Sequence, residues 1–288
     1  MEKLIDRAKV VSEALPYLRK FHNKIIVIKY GGSAMHDPEL KKRVLHDVVL
    51  LKYVGMNPVI VHGGGPDISK TLKRRKIKSE FIQGLRVTSK EVMEVVEYVL
   101  GKKVNKGIVS LIKKHGGKAK GFYGKKGRVI KASKIWLTGE DGSEIDLGFT
   151  GKVEGIRYRY LKKWIKMGYI PVLSPIGIGR RGKSFNINAD SAAASVAEHL
   201  KAEKLFLITD VRGVLDKGGE LISEINTERI KKMIDHKTIS GGMIPKVKCG
   251  LHALDAGVHQ VHIVDGHIPH VLLLELFTDH GVGTMVVK

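Results

Sequence analysis

The chain has 288 residues, 43% of them hydrophobic and 28% charged, with 33 glycines and only 8 prolines, a balance that suits one large domain or two closely joined lobes and excludes a disordered, collagenous or fibrous chain. Lys plus Arg number 51 against 29 Asp plus Glu, a formal charge of +22 that draws anions of every kind, but the lysines scatter over helix faces and aromatics are only 6%, against a dedicated nucleic-acid surface. A lone Cys249 excludes an intrachain disulfide framework and a cysteine zinc cluster, and fits a reducing compartment.

At the N-terminus, Leu4, Ala8, Val11, Leu15 and Leu18 recur at helical spacing, with Pro16 predicting a kink or boundary near Leu15. This apolar stripe either covers the body of its own chain or packs on a second subunit. Acidic residues stand where a secretory leader has a basic start, and no apolar run is long enough to span a bilayer, so a cytoplasmic protein without membrane association is expected.

Lys24 to Tyr30 reads as a buried strand feeding Gly31-Gly32, and Asp37-Pro38 as the cap and first turn of a helix ending near Gly55. Pro58 to Val61 is a second strand, running into Gly63-Gly64-Gly65. Two strand, glycine, helix units in succession predict a parallel sheet covered by helices. Thr88 with Glu91 offers a capping box for a helix interrupted near Gly101 or Gly107 and stopped by Gly116-Gly117. From Lys118 to Gly155, short runs between glycines predict antiparallel hairpins at the sheet's edge. A helix from Tyr158 and a strand from Tyr169 lead to Pro175, and a small-residue helix begins at Asp190. Strands from Lys204, Val258 and Gly283, with helices from Thr227, Met243 and Val271, complete two lobes that meet near 175–200.

Glycines at the ends of adjacent parallel strands let backbone N–H groups approach an anion beside the positive end of a helix, which predicts a phosphate or phosphoryl guest. Lys29, near the end of a buried strand, is out of place unless its ammonium emerges into a pocket, where it could offset charge on a transferring phosphoryl group. The chain lacks GxxxxGK[ST], HRD, DFG and GxGxxG, against P-loop, protein-kinase and standard dinucleotide readings. His62 either holds the glycine turn or acts in catalysis. The histidines His259, His262, His267 and His270 match no standard zinc signature.

In order, KYGGSAM (29–35), VHGGGP (61–66), GLRVT (84–88), NINAD (186–190), TDVRGVL (209–215) and SGGMIPK (240–246) resemble the motifs of the amino acid kinase family, most closely its acetylglutamate kinase branch, over essentially the full chain. The resemblance implies a three-layer αβα sandwich around a mainly parallel open sheet. It also implies magnesium ATP as phosphoryl donor and the γ-carboxylate of N-acetyl-L-glutamate as acceptor, a step of arginine biosynthesis. The alternative acceptor is acetylaminoadipate, one methylene longer, in lysine biosynthesis.

By the same resemblance Lys29 and Lys246 stabilise the phosphoryl group in flight and Asp190 orients them. Gly32 and Gly64 bind the phosphoryl region, Gly64, Gly65, Arg86 and Asn186 the amino acid, and Thr209, Asp210, Val211, Gly213, Val214, Leu215, Thr238, Ile239 and Ser240 the nucleotide. The magnesium is held mainly by phosphates, with no protein metal ligand. The domains implied are an oligomerisation helix (1–20), an amino-acid lobe with a dimer surface (21–180) and a nucleotide lobe with a C-terminal effector region (181–288). Glu275 and Gly281 are expected at an arginine effector site, in a hexamer built as a trimer of dimers.

Overall fold

The structure is a computed structural model and describes all residues except 2–4, 6–8, 10, 140 and 280. Among the described residues, fourteen strands follow in chain order: β1 (Ile25–Tyr30), β2 (Asn57–His62), β3 (Phe81–Ile82), β4 (Leu85–Arg86), β5 (Ala119–Phe122), β6 (Ile130–Thr138), β7 (Glu144–Ile156), β8 (Ile170–Leu173), β9 (Ile176–Ile178), β10 (Ser184–Ile187), β11 (Lys204–Thr209), β12 (Glu224–Asn226), β13 (Gln260–Asp265) and β14 (Thr284–Val287). Eight form one sheet in the order β12-β14-β13-β11-β1-β2-β8-β5, with every neighbouring pair parallel except β13 and β14.

The central strands are apolar on both faces because both faces are covered. Val27, Val59, Val61, Leu205 and Leu207 join one core with the helices Tyr158–Lys166, Ala189–Leu200, Thr227–Asp235 and Met243–Asp255. Their strand neighbours Ile26, Ile28, Ile60, Phe206 and Ile208 join another, beneath Pro38–Tyr53, Gly65–Arg74, the helical run from Lys90 to Lys114, and Val271–Phe277. The result is the three-layer sandwich around a mainly parallel sheet, and β1 pairs with both β2 and β11, so the sheet runs unbroken from β12 to β5.

Three local expectations are corrected. The hairpin β6–β7 does not extend the main sheet: β5 is the edge, parallel to β8, while β6, β7, β10 and β9 close into a small barrel. Glycine permits that closure, since a Cβ on Gly177 would lie 2.4 Å from the Ala132 Cβ. The helix from Lys90 is capped by Ser89, whose hydroxyl accepts from Val92 N–H at 3.2 Å, because Thr88 is drawn into a strand-like bridge with Gly148. Nor does the helix break at Gly101; it widens into a π-helix over Glu97–Asn105.

Of the N-terminal stripe, Leu4 and Ala8 lie outside the described residues. Pro16 falls in the first turn of the helix Leu15–Phe21, so the boundary lies where the sequence puts it. That helix buries Phe21, whereas Val11 and Leu15 are 71% and 51% exposed. Among the described residues, no helix is long and apolar enough to cross a membrane.

Candidate active site

Tyr30 stands opposite His62 in the parallel pair β1–β2, so both strands end together and both glycine turns open at one edge. The turns touch: Gly63 N–H donates to the Tyr30 carbonyl at 2.7 Å, and a Cβ on Gly63 would lie 3.7 Å from the Gly31 Cα. Gly32 at φ 73° and Gly64 at φ 151° adopt backbone that side chains rarely take, and added Cβ atoms would lie 2.3 Å from Asp210 Oδ1 and 2.5 Å from Leu100 Cδ2. Two helices aim their N-terminal ends at the same place. One follows Gly64; the other, Ala189–Leu200, is capped by Asn188, whose Oδ1 accepts from Asp190 N–H at 2.9 Å and Ser191 N–H at 3.1 Å.

These elements enclose a cleft of about 240 Å³ lined by Lys29, the glycines, Arg86, Asn186, Asn188 and Asp190. Lys29 emerges from the middle of the sheet with its Nζ 3.0 Å from Asp190 Oδ1. Lys246, in the first turns of the helix Met243–Asp255, comes within 3.6 Å of Asp190 Oδ2. Burial would raise the Asp190 carboxyl, but the two ammonium groups, Lys29 first, outweigh it and hold the group below the usual carboxylate range.

Arg86 is 6% exposed, and burial lowers its guanidinium below the ordinary value. It donates to Ser79 Oγ, to Ser69 Oγ at 2.8 Å and to the Gly65 carbonyl at 3.3 Å, with the Phe81 ring centroid 4.5 Å away. These partners are neutral oxygens and a ring face, so its charge remains for a guest. The Asn186 amide donates to Thr88 Oγ1 at 3.3 Å, and Thr150 Oγ1 bonds to Thr88 and to the Arg86 carbonyl, bracing the wall behind it.

The nucleotide candidates stand apart from the cleft that holds Arg86, and Asp210 meets it at Gly32. Thr209 ends β11, Val211 and Leu215 expose 43% and 40% of their surfaces, and Val214 N–H donates to Thr284 Oγ1 at 2.8 Å beneath Gly213. Thr238 and Ile239 both donate their N–H groups to the Met233 carbonyl, and the Ser240 carbonyl accepts from Met243 N–H at 3.2 Å.

Glu275 and Gly281 line a second hollow of about 330 Å³ beside Tyr17 and Lys20 of the N-terminal helix. Glu275 is already engaged. Its Oε1 accepts from Val282 N–H at 2.6 Å and Gly283 N–H at 2.7 Å, while Oε2 lies 2.8 Å from His262 Nδ1. Beyond it Lys204 Nζ is 2.9 Å from His262 Nε2. Lys204 was not singled out in the sequence, although a lysine opening a buried strand is the same signal that marks Lys29. Asn188 was missed too, although an asparagine directly before a helix is a recognisable cap.

His62 is fully buried, lies behind the cleft rather than in its lining, and places Nδ1 2.7 Å from the Gly63 carbonyl. Burial pushes its pKa down to about 4, so it is a neutral turn holder and not a proton carrier in the cleft.

Residues 24–265 match the model of the amino acid kinase family. The chain is 52% identical over 287 residues to an acetylglutamate kinase of Caldanaerobacter subterraneus subsp. tengcongensis, covering 99% of this chain and 94% of that one. It is 51% identical over 295 residues to an acetylglutamate kinase of Heliobacterium modesticaldum, covering 100% of both. Among solved structures, N-acetylglutamate synthase from Neisseria gonorrhoeae complexed with coenzyme A and N-acetyl-glutamate aligns with a TM-score of 0.87 at 25% identity, over 98% of this chain and 63% of that one. Carbamate kinase from Giardia lamblia bound to AMP-PNP aligns at 0.66 with 15% identity over 92% and 99%, a likeness of fold.

Proposed function

The chain belongs to the amino acid kinase family, as an acetylglutamate kinase-type phosphotransferase, and from that premise we propose how its residues move the γ-phosphoryl group of ATP onto the γ-carboxylate of N-acetyl-L-glutamate. The observation that carries the reading is the convergence of Lys29 and Lys246 on Asp190 at the cleft that holds Arg86.

The acceptor carboxylate, with an ordinary pKa of about 4.3, is ionised at neutral pH and needs no base. The difficulty is bringing it against a polyphosphate, and the residues present meet that difficulty with two lysines, two helix N-termini and two glycine turns in which an added Cβ at Gly32 or Gly64 would collide with a neighbour. Magnesium ATP supplies the electrophilic phosphorus and part of the charge neutralisation. Lys29 from the amino-acid lobe (21–180) and Lys246 from the nucleotide lobe (181–288) compensate the oxygens in transfer, and Asp190 keeps both ammonium groups aimed at the gap. Gly63 N–H is committed to Tyr30, which leaves the N–H groups of Gly32 and Gly64 for the phosphoryl oxygens. Arg86 pairs with the α-carboxylate through its planar fork, Asn186 and Gly65 hold the α-side, and the substrate is thereby fixed for in-line attack. Thr209 to Leu215, without Arg212, and Thr238 to Ser240 form the nucleotide surface, on which exposed Val211 and Leu215 offer apolar contact.

Arginine inhibition and a hexamer of three dimers belong to the same reading. The hollow between the helix Leu15–Phe21 and Glu275 and Gly281 supports an effector site, and the exposed Val11 and Leu15 support a helix that packs on another subunit. Rates of ADP release with acetylglutamate and with acetylaminoadipate test the acceptor, because one methylene is worth about 1–3 kcal/mol. At least a tenfold higher kcat/KM for acetylglutamate is expected, about 1.4 kcal/mol; a preference for acetylaminoadipate overturns it.

A further inference from the structure

Behind the second glycine turn lies a buried relay that the proposed chemistry has not used. Asn105, 1% exposed, places its Nδ2 3.0 Å from the Val172 carbonyl and 3.2 Å from His62 Nε2. A carbonyl can only accept, so the Val172 contact fixes which end of the amide faces inward, and His62 Nε2 must then accept as well. The ring proton therefore sits on Nδ1, where it donates to the Gly63 carbonyl at 2.7 Å. In a trans peptide the carbonyl and the following N–H point in opposite directions. A Gly63 carbonyl held toward the His62 ring turns the Gly64 N–H away from that ring, toward the cleft that Gly64 lines.

The π-helix makes this reach possible. In an α-helix the five steps from Leu100 to Asn105 turn the chain about 140° past one revolution, onto another face. Widened toward i→i+5 bonding, the segment Glu97–Asn105 brings both toward the same turn. Leu100 then packs where a Gly64 Cβ would be, 2.5 Å from that position, and Asn105 meets His62. Gly121 on the neighbouring strand leaves room for the amide, since a Cβ there would lie 2.2 Å from Asn105 Oδ1. Lys103 adds a tie from the same segment, its Nζ 2.7 Å from Asp67 in the first turn of the glycine helix.

We propose that Asn105 is a positioning residue that acts through His62: it fixes the Nδ1–H tautomer, which clamps the Gly63 carbonyl and aims the Gly64 N–H at the transferring phosphoryl group. The proposal rests on reading Gly64 as a phosphoryl-binding glycine of the kinase.

The isosteric change Asn105→Asp tests it, because a carboxylate accepts where the amide donates and forces the His62 proton onto Nε2. Nitrogen-15 NMR of the His62 ring should show Nδ1–H in the native enzyme and Nε2–H in the variant. With that switch kcat should fall about tenfold while KM for acetylglutamate and for ATP stays within about twofold, the pattern of a contact used in transfer rather than in binding. His62→Asn, whose amide can imitate Nδ1–H, should recover most of the lost kcat when combined with Asn105→Asp; His62→Gln should not. A tautomer switch with unchanged kcat, a loss of kcat without the switch, or equal rises in both KM values overturns the relay. Where Asn105→Asp does not fold, His62→Asn against His62→Gln decides, and equal kcat values overturn it. Native enzyme without acetylglutamate-dependent turnover defeats the underlying reading instead.

Discussion

Lys246 carries the sharpest single-residue prediction. Replacing it with Met should leave the melting temperature near the native value and lower kcat by about 10²-fold, since the lost charge is needed most during transfer. Steady-state rates and a thermal melt of the purified variant check it, and unchanged turnover contradicts the role. Lys204 makes a different, pH-dependent prediction. Burial pushes its ammonium from an ordinary 10.5 down to about 8, with Glu275 opposing the shift. Above pH 8 the folded chain releases a proton that the unfolded chain keeps until about 10.5, so this residue's burial cost is relieved progressively across that window; below 8 both states hold the proton and the cost remains in full. The stability of native protein minus that of Lys204→Met, measured by urea unfolding, should therefore rise from pH 8 toward 10.5, and a flat difference contradicts the assignment. Lys29 was legible because a lysine inside an apolar strand run is conspicuous in one dimension. Asn105 was not, because it sits in a helical stretch and meets its partner 43 residues away.

The helix Ala189–Leu200 shows how a cap can serve the site. Asn188 holds Asp190 N–H, and so fixes the backbone of the residue on which both lysines converge. Asn188→Ala should cost about 1 kcal/mol in denaturant unfolding, the usual value of such a cap. It should also reduce kcat, while Asn188→Asp should restore the capping stability. Full activity in the Ala variant argues that Asp190 is held by its lysines alone. Strands and helices with a strong local pattern, such as β1, β2 and Pro38–Tyr53, were readable to within a residue or two. The Ser89 cap, the π-helix and the closure of β6, β7, β9 and β10 were not. Each depends on a distant segment: the bridge of Thr88 to Gly148, the packing of Leu100 on Gly64, and the approach of Gly177 to Ala132.

In the whole molecule, one sheet runs unbroken beneath the site, and Lys29 and Lys246 meet at Asp190 from segments far apart in sequence. The family and the fold were legible in the order of six short motifs, none specific alone, and glycine turns after parallel strands open at one edge. The proposed assembly depends on the N-terminal segment, in which the chain leaves Val11 and Leu15 exposed. Removing residues 1–20 should convert a hexamer into an active dimer with little arginine response. Light scattering with assays across an arginine series checks this; a truncated hexamer inhibited as before contradicts it. The central claim is that the acceptor is the γ-carboxylate of N-acetyl-L-glutamate, activated as an acyl phosphate. The most direct measurement is trapping of that product with hydroxylamine. Hydroxamate should form only with acetylglutamate and magnesium ATP together, in step with ADP, and should be nearly lost in Lys246→Met; ADP release without hydroxamate, or hydroxamate from acetylaminoadipate but not acetylglutamate, would contradict the claim.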